Sequence, residues 1–272
     1  MTRIAMWALA ILLTASGGAF AQRQPFNGAG VTMGHWHLNS QNVEANKKIL
    51  VALGGTAIKP GDFEIVNFPG VNVFLHLRAG SPPSTGGTAG TVINHVGFLV
   101  PNVQAAFAKW QAAGVPIEMG KNDKGPRTDQ AWVTTADGLR IEILEDKAQT
   151  VPIRHHHVHF YVAEAAIPEI QTWYVKHFGA VAGMRGRFQA ADIPGANLTF
   201  TKSATPTIPT KGRVLDHIGF DVKDMDATVK RLTDAGIKLD RPVDRRPDGS
   251  ALTFIHDPWG ASIELNQRTN PL

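Results

Sequence analysis

Two segments of the chain repeat apolar residues at helical spacing between a capping residue and a glycine. In the first, Val103, Phe107 and Trp110 follow Asn102, and a glycine ends the pattern. The second segment, 224–236, has the same design. Apolar residues three or four positions apart share one face of a helix, and Asn or Asp caps its first turn. Both segments therefore predict amphipathic helices.

Two less regular helices are predicted over 43–53 and 167–178. Short apolar runs such as 131–134 and 252–255 have the length and composition of strands. Pro-Gly turns lead into further strands of the same kind. The pattern thus predicts a unit of one strand, one helix and two or three strands, and this unit occurs four times.

Four blocks of the sequence recur with the same offset of 122 residues, which identifies the chain as an internal duplication. The matched blocks begin at Gly34 and His156, at His95 and His217, at Ala113 and Ala235, and at Gly138 and Gly260. The seam between the two halves is predicted near residues 145–151.

Composition narrows the possible functions. The 272 residues are 43% hydrophobic and 18% charged, which suits a globular protein with a sizeable core. The net charge is +4 and the basic residues are scattered, so no nucleic-acid or membrane partner is expected for the mature protein. The chain has no cysteine. Disulfides, thiolate metal sites and cysteine nucleophiles are excluded, and any metal must be held by His, Asp or Glu.

The first 21 residues predict a secretory signal. Arg3 precedes an apolar stretch of ten residues, and Ala19-Phe20-Ala21 has the small-x-small form of a cleavage site. Ten apolar residues are too few to span a bilayer, which needs about 20. We expect cleavage after Ala21 and a periplasmic or secreted protein.

Two histidines and one glutamate lie at equal intervals in each half, 60 and then 47 residues apart. They are His35, His95 and Glu142 in the first half, and His157, His217 and Glu264 in the second. Two His and one carboxylate form a facial triad that leaves positions of a divalent metal open for substrate. The alternative is that the duplication has copied structural residues. The spacing predicts one metal site in each half.

Neighbouring residues extend these candidate sites. His37 and His159 lie two residues beyond the first histidine of each set, on the same strand face. They are candidate catalytic acid–base groups, or polar residues that line a cavity. Phe74 and Thr199 occupy the places equivalent to the glutamates and are poor ligands, so three protein ligands are expected per site. His76 is a possible fourth ligand in the first half.

The repeated His-x-Gly-Phe-x-Val blocks and the segment Asp257-Pro258-Trp259-Gly260-Ala261-Ser262-Ile263-Glu264 resemble the vicinal-oxygen-chelate superfamily, which contains glyoxalases, bleomycin-resistance proteins and type I extradiol dioxygenases. The resemblance implies an α+β fold of four βαβββ modules paired into two domains. We expect these domains at residues 22–147 and 152–268, each with two modules. It also implies the two triads given above as metal ligands.

The chain departs from individual members of the superfamily. Extradiol dioxygenases carry a Tyr where Phe254 stands and a His near Arg246. Glyoxalase I usually has an acidic ligand at the places of Phe74 and Thr199. Bleomycin-binding members generally lack the triad.

The function expected from the resemblance is glyoxalase-like lyase or isomerase chemistry on a small oxygenated substrate that chelates a divalent metal (Zn, Mn, Fe or Ni). The alternatives are an extradiol-like dioxygenase and a non-catalytic protein that binds a small molecule or metal. A monomer or homodimer is expected.

Overall fold

The computed structural model describes residues 24–76 and 80–269. The predicted signal segment, residues 1–21, lies outside this part of the chain. The described residues form four units in which one strand and one α-helix are followed by three strands, so the predicted βαβββ modules are confirmed.

The first half contains modules 1 and 2. Module 1 consists of β1 (Val31–Leu38), α1 (Val43–Leu53), β2 (Thr56–Ile58), β3 (Ile65–Phe68) and β4 (Val71–Phe74). Module 2 consists of β5 (Ile93–Val100), α2 (Val103–Ala112), β6 (Ile117–Asn122), β7 (Gly125–Thr134) and β8 (Arg140–Glu145).

The second half contains modules 3 and 4. Module 3 consists of β9 (Arg154–Val162), a short 3-10 turn (Glu164–Ala166), α3 (Ile167–Phe178), β10 (Val181–Arg185), β11 (Phe188–Ile193) and β12 (Ala196–Lys202). Module 4 consists of β13 (Leu215–Val222), α4 (Met225–Asp234), β14 (Asp244–Arg245), β15 (Ala251–His256) and β16 (Ser262–Gln267).

Side-chain caps fix where the helices begin. Asn102 Oδ1 accepts a hydrogen bond from Ala105 N at 2.8 Å, and Asp224 Oδ1 accepts one from Ala227 N at 2.9 Å. These bonds satisfy amides that have no partner within the helix. α2 and α4 therefore start at the residues that the sequence predicts. None of the helices in residues 24–76 and 80–269 has the length and apolar character needed to cross a membrane.

The sheets are built across the two halves of the chain. One eight-stranded sheet has the order β14-β15-β16-β13-β1-β4-β3-β2, and the other has the order β10-β11-β12-β9-β5-β8-β7-β6. Module 1 thus pairs with module 4, and module 2 pairs with module 3. The expected pairing of modules within residues 22–147 and within 152–268 is therefore wrong, because the central strand pairs are β1 with β13 and β5 with β9.

Two glycines permit these central pairs. Gly219 lies opposite His35 in the antiparallel pair of β1 and β13. A Cβ added at Gly219 would overlap the His35 imidazole, and a Cβ at Gly97 would overlap the imidazole of His157 in the same way. The glycine of each His-x-Gly-Phe block therefore makes room for a histidine of the other half.

The two sheets pack face to face through aromatic side chains. The rings of Trp36 and Phe98, one from each sheet, lie 5.3 Å apart, and Phe68 lies 4.5 Å from Phe98. Successive side chains of a strand point to opposite faces. Trp36 therefore fills the core between the sheets, while His35 and His37 point to the other face of β1.

Candidate metal centres

The first centre consists of His35, His37, His217 and Glu264. β1 supplies His35 and His37, β13 supplies His217, and β16 supplies Glu264. One nitrogen or oxygen atom from each side chain lies within 4.8 Å of the others. Imidazole nitrogens together with a carboxylate suit divalent transition metals. The cluster has the residue composition and the spacing to hold such an ion.

Strand register brings these side chains together. His37 pairs directly with His217, and Glu264 pairs with Gly219, the residue opposite His35. Glu264 Oε2 lies 3.1 Å from His217 Nε2 and 3.7 Å from His35 Nε2. The amide of Asn266 donates to the other oxygen of Glu264. Glu264 is therefore oriented with one oxygen facing both histidines.

The second centre consists of His95, Glu142, His157 and His159, whose ligand atoms also lie within 4.8 Å of one another. Glu142 Oε2 lies 3.0 Å from His157 Nε2 and 3.5 Å from His95 Nε2. Each residue of this centre corresponds to a residue of the first centre at the 122-residue offset. The two centres are thus pseudo-equivalent copies.

The predicted grouping of the ligands is wrong. His35 does not join His95 and Glu142, and His157 does not join His217 and Glu264, because the halves exchange their first strands. The first centre instead combines His35, on β1 of the first half, with His217 and Glu264 of the second half. The second centre has the reverse origin. The structure thus brings all six predicted residues into clusters. His35 lies where His157 was expected, and His157 lies where His35 was expected.

The interior of the second centre fits a cation. His157 Nε2 and Glu142 Oε2 are both buried and have no hydrogen-bond partner, although they face each other. Burial opposes ionisation of Glu142, but the close contacts of its carboxylate with His157 and His95 outweigh it and lower its pKa. Burial also lowers the pKa values of His95 and His157. Neutral imidazoles beside an ionised carboxylate are in the protonation states that metal binding requires.

The residue that precedes the central histidine differs between the centres. His217 Nδ1 lies 2.6 Å from Asp216 Oδ1, whereas His95 Nδ1 lies 3.0 Å from the amide oxygen of Asn94. Burial disfavours protonation of His217, but the carboxylates of Asp216 and Glu264 outweigh it and raise its pKa to about 9. A carboxylate behind a histidine fixes the tautomer and makes the ring a stronger metal ligand. This partner favours the first centre as a metal site.

An arginine lies inside the second centre. Arg185, on β10, places Nη1 3.7 Å from Glu142 Oε2 and Nη2 3.0 Å from His159 Nδ1. Its Nε donates to Thr199 Oγ1 at 2.8 Å, which fixes the guanidinium in this position. Burial lowers the pKa of Arg185, but a guanidinium stays charged in proteins. The second centre therefore contains a positive charge of its own.

The first centre opens on a cavity of about 620 Å³. This volume lies within the range of small-molecule sites, about 300 to 1,000 Å³. His35, His37, His217 and Glu264 all line it, together with aromatic and cationic side chains. A small molecule in the cavity can thus reach the cluster directly.

His37 and His159 lie within the clusters and are possible fourth ligands. His37 Nε2 lies 2.7 Å from the carbonyl oxygen of His76. Because a carbonyl oxygen can only accept a hydrogen bond, Nε2 of His37 carries the proton. Nδ1 of the same neutral ring is therefore unprotonated. Burial and the nearby His217 and His35 lower the pKa of His37 to about 3. The side chain of His76 is not part of the cluster, so its prediction as a fourth ligand is wrong.

Sequence reasoning missed Asp216 and Arg185. Asp216 directly precedes His217, and Asn94 precedes His95 at the equivalent place. This polar residue before the histidine in both halves was a signal from which Asp216 could have been predicted. Arg185 gave no signal, because it lies in a hairpin outside the repeated blocks.

Comparison with known proteins found a sequence similarity in the second half of the chain and a similarity of fold over most of it. Residues 154–265 match the model of the Glyoxalase/Bleomycin resistance protein/Dioxygenase superfamily. Glyoxalase I from Zea mays superposes with a TM-score of 0.66 at 15% identity, over 87% of this chain and 92% of that chain. A "putative dioxygenase" from Bacillus subtilis superposes with a TM-score of 0.62 at 14% identity, over 88% of this chain and 86% of that chain. A sequence comparison with curated proteins found no match.

The matched segment covers most of the second half, and the 122-residue repeat carries the same motifs into the first half. The two eight-stranded sheets agree with the fold of the structures just named. Residues 154–265 are thus similar in sequence to the glyoxalase, bleomycin-resistance and dioxygenase superfamily, and the fold of the described residues is similar to that of the two solved structures.

Proposed function

We propose that the chain is a divalent-metal-dependent enzyme that performs lyase or isomerase chemistry on a small oxygenated substrate at the first centre. The observation that carries this proposal is that His35, His217 and Glu264 converge on the wall of a cavity of about 620 Å³. Two His and one carboxylate leave about three metal positions open for a substrate.

The residues of the first centre have distinct roles in this proposal. His35, His217 and Glu264 hold the metal, and Asp216 fixes the orientation of His217. When bound, the ion acts as a Lewis acid toward the oxygens of the substrate. His37 belongs to the same cluster, and its Nδ1 is unprotonated because Nε2 donates to the carbonyl oxygen of His76. Because its low pKa keeps the ring neutral, we assign it the role of accepting a hydrogen bond from a substrate hydroxyl and orienting it.

We propose that the second centre binds metal more weakly. Arg185 already places a positive charge 3.7 Å from Glu142 Oε2, and a cation held by the same carboxylate would be repelled by that charge. The neutral Asn94 also replaces the carboxylate found behind His217. The internal ion pair of Glu142 and Arg185 thus performs part of the charge neutralisation that a metal performs in the first centre.

The residues of the cavity favour lyase or isomerase chemistry over extradiol ring cleavage. Phe254 and Arg246 line the cavity where the dioxygenases of the superfamily carry a Tyr and a His. A phenylalanine cannot donate or accept a proton. The cavity therefore lacks the Tyr and His proton-transfer groups that those enzymes use at these places.

Export is part of the same proposal and is supported by the signal pattern of residues 1–21. The N-terminal sequence of the protein recovered from a secretion-competent host tests it. A mature chain that begins at Gln22 is expected, and a chain that retains Met1 to Ala21 would contradict export.

The chemistry is tested by hydrogen exchange at carbon. Zinc-loaded or manganese-loaded protein is incubated in deuterated water with a panel of α-hydroxyketones, and deuterium next to the carbonyl is followed by NMR. Exchange is expected with wild type and is expected to be lost in Glu264→Gln and His217→Ala, but not in His95→Ala. Thermal stabilisation by these ketones without any exchange would identify a binding protein instead.

A further inference from the structure

The wall of the first-centre cavity carries four cationic side chains and three carboxylates, those of Asp216, Asp240 and Glu264. This feature concerns the substrate class of the proposed enzyme and therefore rests on the proposed function. The cationic residues on the wall are Lys211, Arg241, Arg246 and Arg268.

Two of these cations are neutralised within the protein. Lys211 Nζ lies 2.8 Å from Asp240 Oδ2. Arg268 Nε lies 3.1 Å from Asp221 Oδ1, and its Nη2 lies 3.4 Å from His35 Nδ1. These two side chains are thus committed to protein partners.

Arg241 and Arg246 have no such partner. Among residues 24–76 and 80–269, neither makes an ion pair within 4.0 Å. Arg241 Nε is buried without a hydrogen-bond partner. A buried donor that lacks a partner costs free energy, and a bound acceptor recovers it. The wall therefore offers two positive charges to an occupant of the cavity.

Arg241 lies on the cavity wall and is held in place by an aromatic ring. Its guanidinium lies over the ring of Phe254, 4.6 Å from the centroid. The same ring lies 5.0 Å from the imidazole of His217. Phe254 thus contacts both the cation and a residue of the first centre.

Part of the cavity wall is apolar. Phe63, Phe74 and Phe254 line the cavity, and Leu252 and Ile65 add aliphatic surface. We propose that the cavity binds a small aromatic or aliphatic carboxylate that offers two oxygens to the metal at one end. Its carboxylate meets Arg241 and Arg246 at the other end, and its apolar body packs against the phenylalanines. Carboxylates are the groups that guanidinium recognises best, through paired hydrogen bonds.

Hydroxamates provide probes, because they chelate metals through two oxygens. Benzohydroxamate is compared with 3-carboxybenzohydroxamate and 4-carboxybenzohydroxamate by calorimetry on zinc-loaded protein. We expect at least one carboxylated probe to bind about tenfold more tightly than benzohydroxamate, and this preference to shrink at high salt. Arg241→Gln and Arg246→Gln should each reduce the preference, and the double variant should abolish it.

Arg245→Gln is the matched control. Arg245 is the neighbour of Arg246 in sequence, but it pairs with Asp226 and does not line the cavity. It should retain the full preference. Equal affinity of all three hydroxamates for wild type would overturn the carboxylate assignment while leaving the metal centre intact. Failure of every hydroxamate to bind zinc-loaded protein would instead overturn the proposed function, and this inference with it.

Discussion

The imidazole of His35 occupies the space that a side chain at position 219 would need, and Gly219 leaves that space free. The two residues face each other across the pair of strands that joins the two halves of the chain. His157 and Gly97 have the same relationship in the other sheet. Each half of the duplication thus accommodates a candidate metal ligand of the other.

Gly219→Ala is expected to disrupt the first centre. The added methyl group would force His35 or its strand to move, and overpacking of this kind costs about 1 to 3 kcal/mol. Urea unfolding and a zinc titration measure the two effects, loss of stability and loss of first-centre affinity. Gly183→Ala is the control, because a Cβ there meets nothing within 4 Å. Unchanged stability and zinc affinity in Gly219→Ala would contradict the packing described.

Zinc binding at the first centre should depend on pH through His217. Its pKa of about 9 means that the metal-free protein carries a proton on this ring at pH 7, which the metal must displace. The observed association constant should therefore rise about tenfold per pH unit between pH 7 and pH 8.5 and level off above 9. Calorimetry in buffers of different ionisation enthalpy should show release of about one proton per ion at pH 7.

Asp216→Asn provides the comparison for the pH prediction. Loss of this carboxylate should lower the pKa of His217, reduce the proton release, and weaken zinc binding about 10- to 100-fold. Proton release that is identical in wild type and Asp216→Asn would show that the carboxylate does not set the protonation of His217.

Arg185→Gln should strengthen metal binding at the second centre. The substitution removes a positive charge 3.7 Å from Glu142 Oε2 and leaves a side chain of similar length. We expect at least about a tenfold gain in zinc affinity, measured in a His217→Ala background so that the second centre is observed alone. Arg187→Gln, an exposed position in the same hairpin, should give no gain. A second centre that binds zinc equally well with and without Arg185 would contradict the proposed difference between the centres.

The sequence was sufficient to predict the four modules but not to predict which modules pair with each other. The first residues of α2 and α4 could be predicted because Asn102 and Asp224 cap these helices. Capping involves only neighbouring residues and does not depend on the rest of the fold. The pairing of β1 with β13 is a long-range choice, and a duplicated sequence offers two nearly equivalent partners for each module. The 122-residue period therefore predicted which residues enter the two clusters but not which of them share a cluster.

Other features of the centres depend on three-dimensional placement alone. Arg185 reaches Glu142 because β10 and β11 fold back beside β12, and nothing in the hairpin sequence marks that contact. The cation–π contact that holds Arg241 over Phe254 likewise joins residues on separate segments. These placements distinguish two clusters that have the same residue types.

The metal content of three single variants tests the central claim, which is that the first centre binds a divalent ion through residues of both halves. Mass spectrometry of protein prepared without chelator should find about one tightly bound ion per wild-type chain. The ion should be lost in His35→Ala and in Glu264→Gln, and it should remain in His95→Ala. No ion in wild type after reloading, or an ion that survives His35→Ala but not His95→Ala, would contradict the account.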